Sequence, residues 1–168
     1  MRAACFLLVL IMGCGDESSV IERPGEPAVV NVASDDDAMV AAIHQARDSV
    51  DGFLARLPTL RAKGEYYSVK VPVDTGSGIE HIWLDSPDYV DGAFRGKLGN
   101  TPLSGALKLG DVVTTPRDEI SDWMAVSNGE LFGGFSVILL RARLSPEEQA
   151  EFDASLGVPL PASARVFP

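Results

Sequence analysis

Trp123-Met124-Ala125-Val126-Ser127-Asn128-Gly129-Glu130-Leu131-Phe132 is the stretch on which the fold turns. Asn-Gly is well suited to the positive φ angles of a two-residue hairpin loop, and the flanking residues supply aromatic and β-branched side chains. Two antiparallel strands are therefore predicted, Trp123 to Ser127 and Glu130 to Phe132. Upstream, Tyr67, Val69, Val71 and Val73 alternate with Tyr66, Ser68 and Lys70, the period of a strand with one buried face. Asp74-Thr75-Gly76-Ser77-Gly78 has the composition of a turn and leads into a second strand, Ile79 to Leu84. Phe94 to Leu98 and Asp111 to Thr115 read as further short strands. The middle of the chain is thus an antiparallel meander of about five or six strands.

Helices flank it. From Ala38 to Leu57 the residues Met39, Ile43, Ala46, Val50, Phe53, Leu54 and Leu57 recur at steps of three and four, as one helical face requires. Ser34 and Asp35 to Asp37 offer capping oxygens and negative charge where the helix dipole is positive, so the acidic triplet reads as a helix start and Pro58 as its end. Downstream, Ser145-Pro146-Glu147-Glu148 combines a capping serine, proline at the first helical position and glutamate at the third, opening a helix that stops before Gly157 with Phe152 and Leu156 inward. Phe135 to Leu144 suits a buried strand or a helix capped by Ser136, and helix is favoured. The expected class is α+β: an amphipathic helix, the meander, and a terminal helix packed on one sheet face.

The chain has 168 residues, enough for a single core, with 14 Lys plus Arg against 24 Asp plus Glu and a formal net charge of −10. Such a surface repels phosphates, so nucleic acid is excluded as a partner. Two cysteines are too few for a disulfide scaffold or a cysteine-ligated zinc cluster.

Residues 1–13 read as an export signal: Arg2 is followed by the uncharged run Ala3 to Met12, which is shorter than the ~20 helical residues that span a bilayer. Ile11-Met12-Gly13-Cys14 resembles the bacterial lipobox, in which a small residue precedes the cysteine that takes the lipid and becomes the new amino terminus. Cys14 is accordingly the expected lipid-attachment site. At about 0.8 kcal/mol per buried methylene, three acyl chains make the anchor effectively permanent. The expected location is the bacterial cell envelope, facing the periplasm, with the outer membrane favoured because Gly15 rather than aspartate follows the cysteine. Residues 14–34 contain Glu22-Arg23-Pro24-Gly25-Glu26-Pro27 and no sustained periodicity, and read as a flexible tether with a reach of about 25 Å. The folded domain is expected over 35–157, with 158–168 as a tail.

Catalytic signatures fail on inspection. Gly134-Phe135-Ser136-Val137-Ile138 lacks the closing glycine of a nucleophile elbow, and Gly92-Ala93-Phe94-Arg95-Gly96-Lys97-Leu98 has neither the spacing nor the hydroxyl of a phosphate loop. His44 and His81 are not spaced as paired metal ligands. Asp85, Asp88 and Asp91 step by three rather than two and read as a solvated loop, not a calcium site. No metal or cofactor is expected. Glu80 and Asp122 are the carboxylates that would serve as an acid and base pair. Trp83 and Trp123 each follow an acidic residue closely, in Glu80-His81-Ile82-Trp83 and Ile120-Ser121-Asp122-Trp123, although tryptophan in a strand is more often a packing residue with its N–H bonded. Glu80, Trp83, Asp122 and Trp123 are the candidate binding residues.

Several stretches together resemble a bacterial family, the YegJ-like domain of unknown function. They are Phe53-Leu54-Ala55-Arg56-Leu57, Val69-Lys70-Val71, Glu80-His81-Ile82-Trp83, Leu107-Lys108-Leu109-Gly110-Asp111-Val112-Val113, Ile120-Ser121-Asp122-Trp123-Met124, Asn128-Gly129-Glu130-Leu131 and Gly133-Gly134-Phe135-Ser136. The resemblance covers about Ala38 to Leu144. It implies a small α+β domain and supplies no catalytic residue, cofactor or substrate; lipobox and tether are additions to it. Asp122 is expected to brace the turn after Pro116, and Trp123 to bury its indole.

The function expected from these readings is a membrane-anchored, non-catalytic module binding a protein or small molecule. The alternatives are an envelope hydrolase using Glu80 and Asp122 on one concave pocket, and an acidic immunity-type inhibitor of a cationic toxin.

Overall fold

A computed structural model describes residues 36–76 and 78–168, together with the backbone of three strands that precede them. Cys14 lies outside the described residues. Those first strands are β1 (Val9–Gly13), β2 (Ser19–Arg23) and β3 (Glu26–Ala33). The stretch read as signal and tether therefore carries strand pairing: β1 runs parallel to β3, and β2 antiparallel to it. Val29, Val30 and Val32 are β-branched, and backbone pairing does not require the alternation whose absence suggested a coil.

Helix α1 spans Asp37–Lys63. Asp36 caps it, its carboxylate accepting from Met39 N at 3.0 Å while Arg143 grips the same carboxylate at 2.6 and 2.8 Å. The helix does not stop at Pro58. Leu57 and Leu60 continue the buried stripe, Arg61 and Lys63 suit the negative end of the dipole, and Gly64 closes the helix in the left-handed conformation at φ 63°. One missing backbone donor is outweighed by continued burial.

The meander follows as six strands: β4 (Tyr67–Asp74), β5 (Ile79–Val90), β6 (Ala93–Leu98), β7 (Val112–Pro116), β8 (Asp122–Ser127) and β9 (Glu130–Gly133), with α2 (Phe135–Ala142) and α3 (Pro146–Leu156) after it. The class is α+β, and the antiparallel meander is present. Strand order is β5-β4-β8-β9 on one side of β5; on its other side β5 pairs with β1 at its start and β6 at its far half, and β7 extends β6. Strand β5 runs past Leu84, so Asp85 and Asp88 lie in a strand, on either side of a bulge at which Ser86 has φ 45°, and not in a loop. Helix α3 has the expected Ser145–Glu148 capping box.

The two faces of the sheet differ. On the front, against α1, Val69, Val71, Ile82, Leu84, Trp123 and Ala125 pack with Phe53, Leu57 and Leu60. On the back, Trp83, Met124, Leu131 and Val137 form a smaller cluster on which Tyr66, Phe152, Leu156, Val158 and Leu160 rest. Strand β4 is thus buried on both faces, and Ser68 and Lys70 are each 0% exposed where alternation suggested a wet face. Helices α2 and α3 and the segment after them provide the cover. Residues 158–168 are likewise engaged: Val158 and Leu160 join the back cluster, and Phe167 enters the front core.

Candidate functional site

The register decides which polar residues meet. Lys70 is paired with Trp83 on one side and Asp122 on the other, so all three project from the back face. Gly133 and Gly134, both at positive φ, turn the chain from β9 into α2 and bring Ser136 over the same spot. A side chain at Gly133 is impossible, because a Cβ there would sit 2.1 Å from the Trp123 carbonyl oxygen.

The result is a sealed relay. Lys70 Nζ donates to Ser136 Oγ at 2.7 Å, and Ser136 Oγ donates to Asp122 Oδ2 at 2.6 Å. Asp122 also accepts from the backbone N–H groups of Trp123 (2.8 Å), Phe135 (3.2 Å) and Ser136 (2.8 Å). Two of those donors are in the first turn of α2, whose own cap residue, Gly134, has no side chain. Asp122 therefore caps α2 from a neighbouring strand and places negative charge at its positive pole. It does not brace the turn after Pro116, and the Ser136 hydroxyl serves the carboxylate rather than acting as the N-cap. The ammonium of Lys70 lies 4.7 Å from the Trp83 ring centroid, a cation–π contact.

Burial pushes the Lys70 ammonium down to about 8, opposed by the Asp122 charge. Burial pushes the Asp122 carboxyl up, opposed by Lys70 and by its hydrogen bonds. Beside this relay His81 shares a short hydrogen bond with Ser121 Oγ, and burial together with the Lys70 and Arg47 charges holds its imidazole down at about 4. A neutral ring is the consequence at any ordinary pH.

The four candidates named from sequence do not converge. Trp83 and Asp122 belong to the back face; Glu80 and Trp123 belong to the front, by the alternation of β5 and β8. Glu80 accepts from the N–H groups of Leu103 and Ser104 at 2.9 and 3.3 Å, pinning the loop between β6 and β7. Trp123 donates its indole N–H to the Ala46 carbonyl at 3.0 Å and Ser49 Oγ at 3.1 Å, and stacks on Phe53 at 5.0 Å. Trp83 is equally buried, yet its indole N–H has no hydrogen-bond partner among the described residues. An acid and base pair of Glu80 with Asp122 is not formed, because the sheet stands between them. His44 is exposed on α1. Among the described residues no group of three or more His, Cys, Asp or Glu is placed to hold a metal ion.

Sequence reading missed Lys70 and Ser136. A lysine alternating with valines is the signature of a solvent face, and nothing local shows that a helix 66 residues later will cover it.

One concave feature of the back face is separate from the relay. A groove of about 360 Å³ opens on the back face, floored by Met124, Val126, Leu131 and Val137 and walled by Tyr66, Leu156, Val158 and Leu160. Its volume is at the small end of ligand pockets. Glu65 and Asn128 stand at its rim, but the Glu65 carboxylate is engaged by Ser127 Oγ and Asn128 N, both at 3.0 Å. Apolar contact is what this groove offers.

Residues 36–160 match the model of a family described as uncharacterized proteins conserved in bacteria, DUF2314. The chain belongs to this family. The DUF2314 domain thus comprises α1, the six-strand meander, α2, α3 and the start of the segment after them. A putative ankyrin repeat protein of Neisseria meningitidis serogroup B is 34% identical over 146 residues, 80% of this chain and 56% of that protein; the chain thus spans little more than half of its length. The uncharacterized protein YegJ of Escherichia coli K12 is 29% identical over 123 residues, 73% of this chain and 79% of YegJ. No solved structure matches the chain. The DUF2314 match brings no ligand with it.

Proposed function

We propose that the protein is a non-catalytic binding module of the bacterial envelope, held at the membrane by lipid on Cys14. The observation that carries the non-catalytic reading is the sealing of its reactive groups: Lys70 and Asp122 are 0% exposed and Ser136 is 1% exposed. Each of these is committed to holding α2 against the sheet. Catalysis needs such groups at a surface where substrate can reach them. What faces outward is instead the unreactive apolar groove, suited to taking an apolar group of a small molecule or of a partner protein.

The anchor rests on the lipobox alone, and cleavage before Cys14 removes β1, so that the mature chain loses its pairing with β3 and with Ile79 to His81 of β5. No helix among the described residues is long and apolar enough to cross a membrane. Two experiments test the reading. Expression in a Gram-negative host, followed by fractionation, should place the chain with membranes and Cys14→Ser in the soluble fraction; a Cys14→Ser chain still bound to membranes overturns the anchor. Turnover by the purified chain in a hydrolase substrate screen, lost in Asp122→Asn with folding intact, overturns the non-catalytic assignment.

A further inference from the structure

Residues 161–168, Pro-Ala-Ser-Ala-Arg-Val-Phe-Pro, lie beyond the stretch matched by the family model, yet they fill a hole in its core. They have no regular secondary structure, and of the eight only Phe167 is buried. Its ring stacks on Phe132 at 4.2 Å between centroids and 13° between planes, and on Trp123 at 5.9 Å and 18°. The Arg56 guanidinium sits 5.8 Å from the Phe167 ring centroid. Gly52 leaves room for the backbone, since a Cβ there would lie 2.7 Å from the Phe167 carbonyl oxygen. Two residues earlier, the Arg165 carbonyl accepts from Gly133 N at 2.8 Å and the Arg165 guanidinium pairs with Glu130 at 2.6 Å.

These contacts describe a peptide seated on a sheet edge. Strand β9 ends the sheet order on this side, so its outward backbone groups are open to an added strand, as in β-strand addition with a pocket for one side chain. The segment is held by one buried ring, stacked on Phe132 and Trp123 with Arg56 beside it, by one backbone bond to β9 and by one ion pair whose side chains are 50% and 59% exposed. An exposed pair contributes little. With seven of its eight residues not buried, the hold of the segment turns on that one ring, and the surface it covers is aromatic and lined by an acid.

We propose that the strip formed by the β9 edge, Glu130, Phe132, Trp123 and Gly52 is a docking site for an extended segment of another protein, carrying an aromatic residue two positions after a basic one, and that residues 161–168 occupy it in cis. Glu130 and the net charge of −10 select the basic residue; the slot between Trp123, Phe132 and Gly52 selects the ring. This goes beyond the binding role above, because neither the back-face groove nor the lipid takes part.

The test uses the full chain with Phe167→Ala, which empties the slot, and a fluorescent octapeptide with the sequence of residues 161–168. Fluorescence anisotropy should show saturable binding to Phe167→Ala, at least tenfold weaker binding to the wild-type chain, whose own segment competes at high effective concentration, and at least tenfold weaker binding of a peptide with alanine at its phenylalanine. A folded Phe167→Ala chain that does not bind the peptide overturns the proposal. Hydrogen exchange of the wild-type chain covers the case in which Phe167→Ala fails to fold: the Gly133 amide should exchange by local opening, well ahead of the Val71 amide in the sheet centre. Equal rates make the segment an integral part of the core and overturn the proposal. Dimerisation of the wild-type chain with rising concentration, abolished by Phe167→Ala, assigns the slot to a second copy and overturns the foreign partner.

Discussion

The front and back of this sheet are built from the same strands, yet they solve burial differently. The front is dry and aromatic at its centre: Trp123 stacks on Phe53 and donates its indole N–H to α1, and the charged groups that tie α1 to the sheet, Arg47 to the Ile120 carbonyl and Asp51 to Arg117, stand at its margin. The back is covered by short helices and irregular chain, and its most deeply buried joint is ionic, Lys70 to Ser136 to Asp122, with Trp83 beneath it lacking a partner for its indole N–H among the described residues. The difference teaches that one long helix can bury a sheet face mainly by apolar packing. A short helix without a side-chain cap of its own has to be fastened by a charge from elsewhere.

That contrast is sharpened most by Asp122→Ala. It strands Lys70 in the interior and leaves the α2 donors without an acceptor, so a loss of about 3–5 kcal/mol is expected in urea unfolding. A loss below about 1 kcal/mol would mean that the joint is not what holds the back layer.

Acid comes next. The folded-state pKa of His81 is held down at about 4 from an ordinary 6.5, so its neutral ring stabilises the fold fully above pH 6.5. That stability drains as pH falls toward 4, by roughly 3 kcal/mol at most. Denaturation midpoints at pH 7 and pH 4.5 should therefore diverge more for the wild-type chain than for His81→Gln; parallel shifts would place the titration elsewhere.

The two tryptophans allow a direct comparison of the faces. Trp123→Phe removes an indole donor that bonds Ala46 and Ser49, whereas Trp83→Phe removes one that bonds nothing, and the lost volume is similar. Trp123→Phe should cost about 1 kcal/mol more than Trp83→Phe in matched unfolding curves. Equal losses would show that the indole bonds of the front add no more than the contact of Trp83 with Lys70 does.

The smallest effect is expected at the rim. Arg141 pairs with Asp153 at 2.5 and 2.6 Å, tying α3 to α2, but the side chains are 26% and 34% exposed. Arg141→Ala should cost no more than about 1 kcal/mol globally while raising the hydrogen exchange of α3. Unchanged exchange in α3 would show that Phe152 and Leu156 alone keep it in place.

Much of the architecture was legible. The Asn128-Gly129 turn, the alternation of Tyr67 to Val73, the stripe from Met39 to Leu57 and the capping box at Ser145 are local signals, and each corresponds to an element of the structure. Local signals also misled where tertiary context overrode them: continued burial of Leu57 and Leu60 carries α1 through Pro58, and pairing with β6 carries β5 through the exposed Asp85 and Asp88. The site was hardly legible. Asp122 and Trp83 stood out by residue type, but their pairing with Lys70 and their separation from Glu80 and Trp123 are matters of register and face, which a one-residue slip would reverse.

By itself, then, the sequence determined the α+β class, the hairpin, the helices and a strongly acidic, thiol-poor chain, because composition and short periodicities act within a few residues. Only the tertiary structure decided that Lys70 is interior, that Asp122 caps α2, and that Phe167 fills a slot beside Trp123. Those outcomes depend on segments far apart in the chain meeting in one register, and no local pattern encodes the meeting.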